Sequence, residues 1–233
     1  MFRIASFFAG LAGLFVVAAA ALPVPGQEAP EDFTKVDPEK LGVKPVPAKK
    51  DPTTGFVVGG KNATALIRKL TEINGRKIAS LEKDMRPGAA SRAGFLGKGE
   101  RLLDVLALDN AYVIDELGLT HQELARHLRL VGAVGLKLRI NKGPTEFTYH
   151  GRKYKVKVEC FRGYQDSPFE DGTKTNCNAT LWNLGNGKQI HYSLLVPEMI
   201  VRYGFYEGKG TPYRVDPRAV LAVFDFIKPA RDR

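Results

Sequence analysis

The sequence predicts an α+β fold in which a layer of helices packs against an antiparallel sheet. Apolar residues recur at helical spacing over about 62–131, whereas apolar and polar residues alternate over about 136–196. We therefore expect an N-terminal helical layer (about 62–131), a meander of about four or five strands (about 136–196), and one or two C-terminal helices. Closure of the sheet into a small barrel is compatible with the same pattern.

The first 21 residues predict export. Arg3 precedes an uncharged apolar stretch, and Ala18 to Ala21 offer small residues for cleavage, which is the layout of a signal peptide. An uncleaved membrane anchor is the alternative, because the apolar run is long enough to span a bilayer. We expect a protein that is periplasmic, secreted, or anchored by this N-terminal segment.

Residues 22–54 are predicted to form a disordered linker. They contain seven of the 14 prolines and few large apolar residues, so little apolar burial offsets the entropy of ordering them. The remaining residues, 55–229, are long enough to form a single domain with its own core.

The charge of the chain indicates the class of partner. The sequence has 35 Lys and Arg against 25 Asp and Glu, and the net charge of +10 lies within residues 55–233. Such a surface attracts polyanions. For an exported protein we expect an anionic polysaccharide or the membrane surface rather than nucleic acid. Residues 116–128 superficially suggest a DNA-binding helix-turn-helix, but an αα-hairpin is the commoner explanation.

Three helical segments are expected before the sheet. The first begins after Asn62 as N-cap and ends at the Arg86-Pro87-Gly88 stop, with Gly75 as a point where it ends and restarts. The second runs from Glu100 to Leu117. The third begins at Thr120, because Thr120 and Glu123 have the spacing of a capping box.

The alternating segments also predict strand registers, starting from a first strand at Leu136–Ile140. A two-residue turn at His150-Gly151 pairs Phe147 with Tyr154. A turn at Asn186-Gly187 pairs Leu181 with Tyr192 and sets Trp182 across from His191. These registers keep apolar side chains on one face.

Both cysteines lie on that apolar face. If Cys160 and Cys177 are opposed on neighbouring strands, Val158 lies opposite Ala179. The apolar side chains of both strands then lie on the same face of the sheet. A disulfide Cys160–Cys177 is therefore predicted, and the residues from Phe161 to Asn176 are predicted to be a loop.

The C-terminal part is predicted from its start and stop signals. Pro197 suits the first turn of a helix that ends at Gly204, and Asp216-Pro217 opens a last helix. Between them, 205–212 is expected to be a loop and Tyr213–Val215 a short edge strand.

The sequence contains no motif that requires a metal or cofactor. GFYEGKGT (204–211) departs from a phosphate-binding P-loop, because its spacing is one residue short and Pro212 removes an amide. His121 and His127 are six residues apart, so they lie on different helix faces and cannot share a zinc ion.

The face opposite the disulfide carries the candidate binding site. By alternation Trp182 lies across from Lys155, beside other basic side chains. Aromatic stacking combined with positive charge suits a sugar polymer or a single-stranded polyanion. The predicted binding residues are Trp182, Lys153, Lys155, Lys157, His191, Lys137 and Arg139.

The leading hypothesis is therefore a non-enzymatic exported protein that binds an anionic or carbohydrate component of the cell envelope. One alternative is an envelope hydrolase that uses carboxylates of residues 161–176, namely Asp166, Glu170 and Asp171. Another is a structural or protein-partner domain that uses residues 205–212 as its contact. The sequence does not predict the oligomeric state.

Overall fold

A computed structural model describes residues 63–139 and 142–230. The predicted signal peptide (1–21) and linker (22–54) lie outside the described residues. Within that part of the chain the protein has the predicted α+β architecture: helices pack against a four-stranded antiparallel sheet, and further helices follow it.

The elements are best given in chain order. The helices are α1 (Thr64–Ile67), α2 (Ile78–Asp84), α3 (Leu102–Asn110), α4 (His121–Arg139), α5 (Val196–Tyr203) and α6 (Pro217–Val223). A π-helical segment, Ala111–Glu116, continues α3. The strands are β1 (Glu72–Ile73), β2 (Arg76–Lys77), β3 (Thr145–Tyr149), β4 (Arg152–Asp166), β5 (Lys174–Asn183) and β6 (Gln189–Ser193).

The first predicted helix is wrong in its middle. The chain forms α1, then the small antiparallel hairpin β1–β2, and only then α2. Asn74 and Gly75 both have positive φ angles, 53° and 76°, at the turn of this hairpin. An Asn-Gly pair favours such a turn, and this local preference outweighs the helical spacing of the surrounding apolar residues.

Helix α4 begins as predicted but is longer. The Thr120 hydroxyl accepts a hydrogen bond from the Glu123 amide at 3.1 Å, and the Glu123 carboxylate accepts from the Thr120 amide at 2.7 Å. The helix continues to Arg139, so the predicted first strand at Leu136–Ile140 is wrong for its described residues. The first strong helix-breaking pair downstream is Gly143-Pro144, which leaves nothing to end the helix earlier.

The main sheet has the order β3-β4-β5-β6, with every neighbouring pair antiparallel. The predicted pairing of Phe147 with Tyr154 is confirmed. So is the pairing of Cys160 with Cys177, and these two residues form the predicted disulfide. The buried side chains of β4 and β5 follow the predicted alternation.

The predicted register of the β5–β6 hairpin is wrong by two residues. Leu181 pairs with Ile190 rather than with Tyr192, and Trp182 pairs with Gln189 rather than with His191. The connection is longer than a two-residue turn because the Asn183 side chain accepts hydrogen bonds from the amides of Gly185 and Asn186. A shift of two residues preserves the faces, so the apolar side chains remain buried.

The predicted loop from Phe161 to Asn176 is also shorter than expected. Strand β4 continues to Asp166 and β5 begins at Lys174. The pairing is interrupted after Cys160 and resumes at Gln165, which pairs with Thr175. Residues 161–164 therefore form a bulge that projects from the sheet, and this segment is called the bulge below.

The C-terminal capping predictions are confirmed, but the edge strand is not. Gly204 ends α5 in the left-handed conformation, and the Asp216 side chain caps α6 by accepting from the Arg218 amide. Tyr213–Val215 is not a strand, since the Val215 amide instead donates to the Tyr206 carbonyl at 3.1 Å.

Helix α4 covers one face of the main sheet, which we call the inner face. Close approach is possible because Gly135 has no side chain: an added Cβ would collide with Val158 Cγ2 and lie 3.3 Å from Val156 Cγ2. Tyr192 anchors the same contact by donating its buried hydroxyl to the Leu128 carbonyl at 2.9 Å.

Removal of the disulfide tests the register of β4 and β5. The bond closes a loop with a sequence separation of 17. We expect the double substitution Cys160→Ser and Cys177→Ser to lower the free energy of unfolding by about 3 kcal/mol, because the denatured chain gains entropy. Denaturant unfolding under non-reducing conditions measures it. Two free thiols in the unreduced wild-type protein would contradict the bond itself.

Substitution Gly135→Ala tests the contact of α4 with the sheet. Alanine favours an isolated helix by about 1 kcal/mol, but here the added methyl group overpacks the core, and we expect a net loss of about 2 kcal/mol. Combining it with Val158→Ala should cost less than the two single substitutions together. Additive losses in thermal or denaturant unfolding would show that the two residues do not press on each other.

Candidate functional site

The sheet surface opposite α4 is called the outer face. Alternation along the strands places four groups of side chains there. They are Glu146 and Thr148 from β3, Lys153, Lys155, Lys157 and Glu159 from β4, Asn178, Thr180 and Trp182 from β5, and Gln189, His191 and Ser193 from β6.

Trp182 and Lys155 form the centre of this face. They are directly opposed on β5 and β4, as predicted, and the Lys155 ammonium lies 4.9 Å from the centroid of the indole ring. Both side chains are half-buried. The indole is therefore partly accessible and polarised by a cation, which suits a ligand that stacks and carries negative charge.

The neighbouring lysines differ in their surroundings. Lys153 is exposed at the start of β4. Lys157 forms an ion pair with Glu159 at 2.8 Å on the same strand. Glu146 of β3 is directly opposed to Lys155 on this face. Two carboxylates, Glu146 and Glu159, thus balance part of the positive charge of the outer face, and Lys153 and Lys155 are the lysines for which no ion pair is recorded among the described residues.

His191 lies on the outer face but not opposite Trp182. It pairs with Thr180, whose hydroxyl is 2.9 Å from His191 Nδ1, and its ring centroid is 5.5 Å from that of Tyr213. Partial burial lowers the pKa of His191. The imidazole therefore contributes hydrogen bonding rather than charge at neutral pH.

Lys137 and Arg139 are separated from these residues. Both belong to α4, which packs on the inner face of the sheet. Lys137 is exposed to solvent on that helix. The structure therefore brings together five of the predicted binding residues, Lys153, Lys155, Lys157, Trp182 and His191, but not the two from the supposed first strand.

A cleft of about 280 Å³ opens at the end of the sheet. It lies where the bulge, the start of β5 and the chain after α5 meet. Its lining includes Phe161, Tyr164, Asn176, Asn178, Glu207 and Tyr213. Asn178 belongs to both the outer face and the cleft, so the two surfaces are continuous.

The bulge supplies two exposed aromatic side chains to the cleft. Phe161 is 57% exposed and Tyr164 is 66% exposed. Gly163 between them has a φ of 84°, and the Asn176 side chain holds the bulge by donating to the Phe161 carbonyl at 2.9 Å. Lys174 lies 5.2 Å from the centroid of the Tyr164 ring. Bulges of this kind redirect side chains beside binding sites.

Glu207 is a buried carboxyl group at the cleft. It is 1% exposed and has a φ of 66°. Burial raises its pKa to about 8, although Thr211 and Arg214 act in the opposite direction. The Thr211 hydroxyl lies 2.8 Å from Glu207 Oε2 and 2.9 Å from the Gly208 carbonyl oxygen. A hydroxyl has one proton, so a protonated Glu207 that donates to Thr211 satisfies both contacts.

Two glycine-rich loops support this region. Residues 94–100 and 204–211 share a local GF…GKG pattern, and they pack against each other: the Gly208 amide donates to the Phe95 carbonyl at 2.8 Å. The Glu100 carboxylate joins them by accepting from the Gly97 amide at 2.6 Å and the Lys209 amide at 2.9 Å. The segment 205–208 is buried, and Lys209, Gly210 and Pro212 are its exposed neighbours.

A buried polar network holds the second glycine-rich loop, residues 204–211, in place. Arg214 forms an ion pair with Asp109 at 2.7 Å and also donates to the Glu207 carbonyl. His121 lies between Asn110 Oδ1 and the Tyr206 hydroxyl, each at 3.1 Å, and burial lowers its pKa to about 4. A neutral imidazole that donates from Nε2 and accepts at Nδ1 fits these partners.

The three carboxylates of the hydrolase alternative, Asp166, Glu170 and Asp171, do not line the cleft. Glu170 pairs with Arg76 at 3.0 Å, and Asp166 is exposed at the end of β4. Burial alone would raise the pKa of Asp171, but hydrogen bonds from Thr173 and Tyr203 and the charge of Arg202 lower it overall. Among the described residues, the carboxyl group that lines the cleft is Glu207.

The sequence analysis missed Glu207, Phe161 and Tyr164. Glu207 lies in a glycine-rich segment that looks like an exposed loop, and no sequence signal marks it as buried. The bulge has no sequence signal either, because the difference in length between β4 (Arg152–Asp166) and β5 (Lys174–Asn183) is visible only in the structure.

No family model matches the chain, and comparison with curated proteins and with solved structures also found no match. Among the described residues, none of the helices combines the length and the apolar character needed to cross a membrane. The same residues contain no cluster of three or more His, Cys, Asp or Glu side chains arranged to hold a metal ion.

The protonation of Glu207 predicts a specific pH dependence of stability. The folded protein retains a proton that the unfolded chain releases above its ordinary pKa of 4.5, so this stabilisation is complete below that pH and disappears as pH rises to about 8. We expect Glu207→Gln to gain stability relative to wild type over this range, by on the order of a few kcal/mol.

Denaturant unfolding at a series of pH values measures this difference. Glu72→Gln, which removes an exposed carboxyl group from β1, is the matched control and should follow the wild-type profile. A constant difference between Glu207→Gln and wild type across the range would show that Glu207 titrates normally.

Proposed function

We propose that the protein binds an acidic polysaccharide of the cell envelope, without chemical conversion, through the outer face. The observation that carries this proposal is the Lys155–Trp182 pair, a partly accessible indole beneath an ammonium group at 4.9 Å. A sugar ring stacks on the indole, and a nearby acidic substituent on the polymer meets Lys155 and the exposed Lys153.

The extent of the surface favours a polymer over a small ligand. Asn178 lies four residues beyond Trp182 on the same face of β5, which corresponds to roughly 13 Å along the strand. The cleft and the exposed Phe161 and Tyr164 extend the surface further. Aromatic side chains that are separated by polar ones can contact successive sugar units of one polysaccharide.

The proposed location is outside the cytoplasmic membrane. The disulfide Cys160–Cys177 supports this location, because such bonds persist in oxidising compartments. The signal-like residues 1–21 support it independently. Acidic polysaccharides are exposed to a basic protein in that environment, whereas nucleic acid is not.

A hydrolase is the second candidate, and Glu207 is the observation that favours it. A carboxyl group that remains protonated near neutral pH in a cleft is suited to act as a general acid. Glycoside hydrolysis by the usual mechanism needs a second carboxylate beside the cleaved bond. If the protein released reducing ends from the bound polymer and Glu207→Gln abolished that release, the protein would be an enzyme rather than a binding protein alone.

Titration of Trp182 fluorescence with polygalacturonate at low salt tests the binding proposal. Trp182 is the single tryptophan of the chain, so any shift reports on the outer face directly. Trp182→Ala, measured by calorimetry, should weaken binding roughly tenfold through lost stacking. Binding should also weaken as salt is added, because the charges involved are close to solvent.

A matched pair of charge variants separates the outer face from general charge. The triple substitution Lys153→Gln, Lys155→Gln and Lys157→Gln should weaken binding strongly. The control, Lys69→Gln, Lys77→Gln and Lys83→Gln, removes the same charge from exposed positions near α1 and α2 and should bind as wild type. Equal losses in both, or no fluorescence shift with the polysaccharide but a shift with anionic lipid vesicles, would overturn the proposal.

A further inference from the structure

We propose that the cleft at the end of the sheet is a subsite for one uncharged sugar ring, a hexose or N-acetylhexosamine unit of the bound polymer. The subsite is formed by the bulge, the start of β5 and the segment around Glu207. This inference deepens the proposed function and rests on it for the identity of the polymer, but the subsite itself makes a separate prediction about short neutral sugars.

The size and walls of the cleft suit a single ring. Its volume of about 280 Å³ lies just below the range of pockets that hold drug-sized ligands, which leaves room for about one such unit. Phe161 and Tyr164 present exposed rings at its mouth, and Tyr213 lines it as well. Flat aromatic faces accept the apolar C–H faces of a sugar ring.

The amide side chains of the cleft are held in place by hydrogen bonds within the protein and keep polar groups for a ligand. Asn178 Nδ2 donates to the Tyr213 hydroxyl at 3.3 Å, and Asn176 Nδ2 donates to the Phe161 carbonyl at 2.9 Å. Each contact uses one of the two N–H groups of its amide, so the second can donate to a ligand. The carbonyl of Asn178 can accept a hydrogen bond from a ligand hydroxyl group, whereas Asn176 Oδ1 lies 3.2 Å from Cys177 Sγ. Hydroxyl groups both donate and accept, and an uncharged sugar supplies them in greatest number.

Glu207 makes the floor of the cleft neutral rather than anionic. The Thr211 hydroxyl lies within hydrogen-bond distance of both Glu207 Oε2 and the Gly208 carbonyl oxygen, and a proton on the Glu207 carboxyl group lets this one hydroxyl satisfy both contacts. A buried carboxylate would repel an acidic sugar and attract a cation, whereas a buried carboxylic acid does neither. The remaining polar side chains that line the cleft are Ser91, Gln165, Thr175 and Ser193, and Arg162 is the cationic residue of the lining.

The two parts of the surface therefore differ in chemistry. The outer face presents Lys153 and Lys155 to acidic groups, whereas the cleft presents mainly hydroxyl, amide and aromatic groups, with Arg162 as the one cation among the described residues of its lining. A polymer that alternates acidic and neutral sugars, or ends in a neutral one, would use both parts at once. The order of the contacts fixes the direction in which such a chain lies on the protein.

Calorimetry and amide chemical shifts measured with two neutral probes test the subsite. The probes are the trisaccharides of N-acetylglucosamine and of glucose, at up to millimolar concentration. We expect at least one to bind and to shift the side-chain amide signals of Asn176 and Asn178. The double substitution Phe161→Ala and Tyr164→Ala should weaken binding roughly tenfold or more, through the loss of stacking.

The controls separate this subsite from the outer face. Leu108→Ala on α3 removes an apolar side chain of the same 57% exposure as Phe161 and should not change binding. Trp182→Ala should bind the neutral trisaccharides as wild type does, while its affinity for polygalacturonate falls roughly tenfold.

The possible outcomes decide the two proposals separately. If neither neutral trisaccharide binds while polygalacturonate does, the subsite proposal is wrong and the binding proposal stands. If a neutral trisaccharide binds in the cleft and polygalacturonate does not bind, the subsite stands and the acidic polymer is wrong. Binding of neutral sugars that is lost in Trp182→Ala and kept in the bulge variant would place the neutral ring on the outer face and overturn the subsite.

Discussion

The pairing of β4 with β5 in one register is the constraint on which the rest of the structure depends. Val156, Val158 and Ala179 are buried beneath α4 only because this register places them on the inner face. The same register places Lys155 against Trp182 on the other side. A shift by one residue would bury lysines and expose valines, so the core and the candidate binding face are specified by one set of backbone hydrogen bonds.

The cleft depends on a second set of interactions, in which polar groups join two glycine-rich loops that are also anchored in the core by Phe95 and Phe205. Glu100 bridges two glycine-rich loops through backbone amides, and the Asp109–Arg214 pair anchors the chain beyond Glu207. The Asp109–Arg214 pair is buried and the contact of Glu100 with the Gly97 amide is partly buried, so water does not replace these two easily. A long loop would otherwise be too mobile to hold a carboxyl group in a fixed, dehydrated position.

Strand pairing was the part of the fold that the sequence predicted best. Alternation and the two cysteines required the same β4–β5 register, and two independent constraints leave little freedom. The β5–β6 register was predicted less well, because Asn183 lengthens the turn and a shift by two residues is invisible to alternation. Leu136 to Arg139 alternate like a strand, yet they simply prolong a helix that nothing interrupts.

The candidate site divides in the same way. Side chains on regular strands, such as Lys155 and Trp182, could be assigned to a face from their positions alone. Glu207 and the aromatic residues of the bulge could not, because their positions depend on contacts between segments far apart in the chain, such as that of Arg214 with Asp109. The periodicity of apolar residues in the sequence does not predict a contact of that kind.

The position of the disulfide relative to the bulge has a consequence for how this surface can change. Cys160 and Cys177 form the last regular pair before the bulge begins. On one side of the disulfide, packing against α4 fixes the length of the paired strands. On the other side lies the bulge, whose length packing does not fix. Insertions, deletions or altered side chains within 161–164 would be absorbed on the far side of the link, so the specificity of the cleft can diversify while the domain that carries it remains the same.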